Sequence, residues 1–89
     1  MELFTCQCCG YKTLKEGTRD SYEICKVCFW EDDLVQNEDP NYEGGANEVS
    51  LIQAQMNFIM FGVSEIMFKE NVINPSLGGY IKDKNFKPL

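Results

Sequence analysis

Alternating and helical spacings of apolar residues divide this chain of 89 residues into a strand-forming front and a helical back. Leu3 to Thr5 reads as a short strand into a cysteine-rich turn, and Tyr11 to Leu14 as the strand out of it. Tyr22 to Cys25 reads as a third strand, with Tyr22 and Ile24 forming the apolar face against Ser21, Glu23 and Cys25. Between them, Lys15 to Asp20 has turn chemistry, with Gly17 to reverse the chain.

From Glu31 to Tyr42 the pattern lapses into an acidic stretch that predicts a solvated loop. It lacks the alternating oxygen ligands and closing Glu of a calcium loop. Gly44 and Gly45 follow. No Lys or Arg lies beside them and Glu48 would repel a phosphate, so they predict a loop passing close to the ribbon rather than an anion nest. Ser50 or Asn47 then caps a helix. Leu51, Ala54 and Phe58, with Ile52, Met56 and Ile59, give it one broad apolar face. Gly62 is placed to end it in a left-handed cap, with Val63 folding back onto Phe58, and Ser64 to start a short second helix. Met56, Met60, Met67, Phe61 and Phe68 read as ordinary core, although they exceed what so small a domain needs, so that exposure of some of them to a partner is the alternative. Asn74 to Gly79 reads as a turn. The last ten residues, with Lys82, Lys84 and Lys87, read as a docking or partner-facing tail.

The candidate chemistry lies in the front half. Cys6-Gln7-Cys8-Cys9 is answered by Cys25-Lys26-Val27-Cys28. Two Cys-x-x-Cys pairs place four thiolates at the corners of a tetrahedron, the donor set of a closed structural zinc site. Cys6 with Cys8, or Cys8 with Cys9, could also bind in principle, but both spacings are tight, whereas Cys6 and Cys9 match Cys25 and Cys28. Cys8 is then expected to be free. A disulfide framework is disfavoured by the odd count and by an N-terminus without signal-peptide character. A redox dithiol fits one such motif better than two, and iron remains an alternative to zinc in an all-sulfur site. Gly10 suits the turn beneath the first pair. Phe29 and Trp30 are expected to shield the second from water.

Charge narrows the function. The formal net charge is −6, and four ionised ligands around one dication lower it by two more. Such a surface is a poor match to a phosphate backbone, so nucleic acid is not an expected partner. Leu51 to Phe68 is interrupted by Gln53, Gln55, Asn57, Ser64 and Glu65, which argues against a membrane span. A cytoplasmic location is expected. The chain holds no His, hence neither the commonest general base nor the commonest catalytic zinc ligand.

Cys6 to Leu14, Tyr22 to Asp33, Gly44 to Leu51 and Asn57-Phe58 together resemble the bacterial cysteine-rich CPCC family. Gln7 stands where that family's name has Pro, and Lys26 where Pro usually follows the third ligand. Neither change removes a ligand. The resemblance implies a small metal-binding protein of bacterial or phage origin and carries over no reaction.

These readings combine into one α+β domain over residues 1–89. It is a small zinc ribbon of two knuckles on short antiparallel strands (1–30), an acidic, Gly-containing loop (31–49), a helical part of one main and one short helix (50–71) and a tail (72–89). One Zn2+ is expected on Cys6, Cys9, Cys25 and Cys28. The expected role is a non-enzymatic module that binds a protein partner, as an inhibitor or immunity factor, through an acidic rim of Glu31, Asp32, Asp33, Glu38 and Asp39. The alternative is a rubredoxin-like iron or thiol redox protein.

Overall fold

In the computed structural model, which describes residues 2–89, the front half is held by a two-stranded antiparallel ladder and a buried cluster of cysteines. Strands β1 (Phe4–Thr5) and β2 (Lys12–Leu14) pair Phe4 with Leu14 and Thr5 with Lys12, with an irregularity between the two pairs. Helices α1 (Leu34–Glu38), α2 (Leu51–Phe61) and α3 (Pro75–Gly78) follow, with a 3-10 helix (Ile66–Asn71) between α2 and α3. The result is a compact α+β chain.

The third expected strand does not form. Tyr22 to Cys25 contributes only an isolated bridge between Ile24 and Glu31. Its facing is also the reverse of the expected one, since Tyr22 is 58% and Ile24 42% exposed while Cys25 is buried. Neighbouring side chains on extended backbone point to opposite sides, so committing Cys25 to the sulfur cluster sends Ile24 outward, while Tyr22, at φ 56°, lies outside any extended run.

The acidic stretch departs further from expectation. It contains α1, whose N-cap Asp33 accepts from the Val35 amide at 3.0 Å. Asp32 is 1% and Asp33 5% exposed, so neither belongs to a solvated rim; Glu38 and Asp39 are exposed. Asp32 is tolerated inside because its carboxylate accepts from the Ser21 amide and hydroxyl and from Asn37 Nδ2, at 3.2, 2.8 and 2.8 Å. Buried Gln36 and Asn47 complete this polar layer. Gln36 Nε2 donates to the carbonyls of Tyr42, Asn47 and Val49, and Gln36 Oε1 accepts from the Asn47 amide and Nδ2. Gly45 passes so near α1 that an added Cβ would lie 2.6 Å from Asp33 Oδ2.

Helix α2 begins and ends by local rules. Ser50 Oγ accepts from the Gln53 amide at 3.1 Å, and Gly62, at φ 81°, donates back to Phe58 O. Its buried face is narrower than the six-residue one expected: Leu51, Ala54 and Gln55 are buried, while Met56 and Ile59 are exposed. Met60, Phe61 and Met67 are exposed too, which corrects their reading as core. The helix docks through its first turns: Gln55 Nε2 donates to Gln7 O at 2.9 Å, and Phe58 meets Tyr11 edge to face. Ser64 does not start a helix. It is buried, its amide donates to Cys28 O, and the 3-10 helix starts two residues later.

The tail docks on the front half. Ile81 O accepts from Lys12 N, Asp83 N donates to Gly10 O, and Thr5 Oγ1 donates to Asp83 Oδ2 at 2.7 Å. Phe86 packs on Gly10, where any side chain would run into its ring. No single helix among the described residues is long and apolar enough to cross a membrane.

Candidate metal centre

Two turns of the same construction carry the four expected ligands. In the first, Gly10 N donates to Cys6 O and Cys6 N to Tyr11 O; in the second, Phe29 N donates to Cys25 O and Cys25 N to Trp30 O, all at 2.9 Å. The residue closing each turn is left-handed, Gly10 at φ 81° and Phe29 at φ 72°. A glycine adopts that conformation freely and a phenylalanine does not. Phe29 is held by its ring, which packs on Phe68 at 4.6 Å between centroids.

These turns bring Cys6, Cys9, Cys25 and Cys28 together, all four buried, with their sulfurs within 4.8 Å of one another. Cys6 Sγ lies 3.6 Å from Cys28 Sγ, and Cys9 Sγ 3.7 Å from Cys25 Sγ. A regular tetrahedron with metal–sulfur bonds of about 2.3 Å has edges of about 3.8 Å, so the cage fits a four-thiolate metal ion. Those separations are well beyond the ~2.05 Å of a disulfide, and the five cysteines are free thiols.

The cage is set up to carry negative charge. The amides of Tyr11, Val27 and Trp30 approach the sulfurs of Cys9, Cys25 and Cys28 at 3.5, 3.4 and 3.4 Å, and Thr13 Oγ1 donates to Cys25 Sγ at 3.1 Å. Without a cation the four thiols share protons unevenly. Hydrogen bonds from Cys28, Cys6 and Cys9 hold the Cys25 thiol far below its ordinary value, whereas burial pushes Cys6 and Cys28 up and the bond with Cys25 raises Cys9. A divalent ion replaces those protons and stabilises all four thiolates at once.

Cys8 is buried beside the cage but is not one of the four grouped sulfurs. Trp30, expected to shield the second pair, is 1% exposed, and its indole N–H donates to Asn37 Oδ1. Of the five carboxylates expected to act together, Asp32 and Asp33 are consumed inside the fold, leaving Glu38 and Asp39 exposed and Glu31 half-buried. Thr13 was not singled out from the sequence, since no pattern marks a hydroxyl that will meet a sulfur 12 residues away. Gln36 and Asn37 were missed because polar residues in an acidic stretch read as solvated, and Asn47, expected as an alternative cap to Ser50, instead bonds the Glu31 backbone and Gln36.

No curated protein matches the chain. A model of the cysteine-rich CPCC family matches residues 4–77, a span that takes in both turns and the helices from α1 to α3. One feature of that name is altered here, with Gln7 where CPCC has its proline, while the four grouped sulfurs remain. The chain therefore belongs to the cysteine-rich CPCC family.

Proposed function

We propose that this protein is a zinc-stapled scaffold that works in the cytoplasm by binding another protein, without catalysing a reaction. The observation that carries the reading is a pairing of surfaces. A four-sulfur cage with every donor buried offers no open coordination position, and next to it lies an apolar surface that the core does not use. Ile59 is 70% and Met67 61% exposed, and Met60, Phe61 and Ile66 are exposed with them. Helix α2 contains no charged residue at all. So many exposed apolar side chains in two successive segments of a small domain point to an interaction site, and Met and Phe adapt well to a partner. The absence of His supports the non-catalytic part of the reading.

The net charge of −6 favours partners with a basic face through long-range steering. A rubredoxin-like iron centre is the second reading, supported by a tetrahedral all-sulfur cage that suits iron as well as zinc. Colourless protein with one zinc per chain supports the first reading, and a visible absorbance with bound iron the second. The test of the scaffold role uses metal-loaded protein immobilised beside its Ile59→Ser/Met67→Ser variant and exposed to host lysate. A protein retained by the wild type and lost by the variant is expected. Identical retention by the two, or none by either, overturns the role.

A further inference from the structure

Beside the second turn, Phe29 and Phe68 form one wall of an open cavity of about 260 Å³. Three carboxylates from separate parts of the chain line the same space: Glu31 after the turn, Glu48 before α2, and Glu65 at the head of the 3-10 helix. Met67, from the exposed apolar surface, lines it too, and no Lys or Arg does. Glu31 is fixed in place, since Asn47 accepts from its amide and donates to its carbonyl, both at 2.9 Å.

Three like charges gathered without a cation repel one another. The effect is visible at Glu65, which is raised first by burial and then by the charge of Glu48. A bare divalent ion would meet the carboxylates but not the phenyl and thioether wall, because hard cations take oxygen ligands and water. The cavity is also smaller than the 300–1,000 Å³ usual for small-molecule and cofactor sites. An aliphatic stem ending in a cation satisfies both halves: the stem covers apolar surface while the head meets carboxylates and aromatic faces.

We propose that this cavity receives one lysine or arginine side chain of a protein partner, its stem against Phe29, Phe68 and Met67 and its charged head among Glu31, Glu48 and Glu65. The assignment rests on the protein-binding reading and names the chemistry that the partner presents. It also gives a use to a phenylalanine at a left-handed position where the first turn has glycine.

The test is a titration of metal-loaded, 15N-labelled protein with N-acetyl-arginine methylamide, N-acetyl-lysine methylamide and the neutral N-acetyl-norleucine methylamide, followed by amide chemical shifts. Saturable shifts at residues 29–31, 47–48 and 65–68 with at least one cationic amide, absent with norleucine, are expected. The stronger cationic amide identifies the side chain. Glu48→Gln/Glu65→Gln should weaken that binding at least tenfold, whereas Glu38→Gln/Asp39→Asn, the same change of charge at exposed sites of another segment, should not. No saturable shift with either cation, equal shifts with norleucine, equal shifts with calcium chloride, or equal weakening by the two double variants overturns the proposal. The comparison among the three amides needs no variant, so it stands even if a substitution unfolds the chain. If the amides fail while lysate capture through Ile59 and Met67 succeeds, only the cavity assignment falls.

Discussion

A single residue at one shared backbone angle separates the two otherwise matching turns. Gly10 and Phe29 both sit at positive φ, a conformation that costs an L-residue roughly 1–2 kcal/mol. Phe29 offsets that cost through its contact with Phe68, since an aromatic pair contributes about 0.5–1.5 kcal/mol beyond the area it buries. Removing the ring by Phe29→Ala loses the contact and keeps the strain, whereas Phe29→Gly loses the contact and relieves it. Both variants should be less stable than the wild type, with Phe29→Gly the more stable of the two by about 1 kcal/mol. Urea unfolding of the metal-loaded proteins measures the order; an alanine variant at least as stable as the glycine one would show that the turn is not strained.

At the scale of elements, the caps of α1 and α2 differ in what they hold. Ser50 Oγ satisfies one amide at the head of α2, so Ser50→Ala should cost about 1 kcal/mol, the ordinary worth of a cap. Asp33 does more for a helix half as long. Its Oδ1 accepts from Val35 N at 3.0 Å and its Oδ2 from Ala46 N at 2.8 Å, joining α1 to the loop that leads into α2. Asp33→Ala leaves both amides without that partner, one of them across a tertiary contact, and should cost about 2–3 kcal/mol. Thermal midpoints of the two variants at matched metal content give the comparison. A smaller effect at Asp33 than at Ser50 would mean that α1 is not held by its cap.

For the molecule as a whole, the metal is expected to set both stability and its dependence on pH. Structural zinc in small domains contributes on the order of 10 kcal/mol, and here it would sit among the residues that form the core itself: Cys6, Cys9, Cys25 and Cys28 with Leu14, Val27, Trp30 and Leu51. In the loaded protein the ion would hold all four ligands as thiolates, so their folded values would lie below the ordinary thiol value. Stability is therefore present near neutrality and lost on acidification, as protons displace the ion. With the ion chelated, Cys6, Cys9 and Cys28 hold their protons more tightly in the folded than in the unfolded chain, while Cys25 holds its proton less tightly. Above pH 9.0 the three raised thiols dominate and stability declines as pH rises, whereas below it Cys25 alone makes stability fall on acidification. Denaturant midpoints across pH are expected to fall on acidification far more steeply with zinc than with chelator, and to decline above pH 9.0 with chelator; identical profiles would remove the cage from the stability of the fold.

What the sequence determined by itself is what short stretches of chain control. Two Cys-x-x-Cys spacings identify four ligands because each turn is closed by its own backbone hydrogen bonds, and Ser50 and Gly62 mark the ends of α2 because caps act on neighbouring amides. Tertiary structure alone decided which side of each element faces inward. Ile24 faces out because its neighbour Cys25 is committed to the cage. Ile59 and Met60 stay exposed because α2 docks through its first turns and Gln55 takes part in that contact. The acidic stretch is the clearest case. Asp32 and Asp33 read as solvated charge, and they are buried because Ser21, Asn37 and Ala46 bring donors to them from 11 residues before to 13 residues after. A carboxylate's preference for water is intrinsic to the residue, but the donors that replace water come from other parts of the chain, and only the fold assembles them.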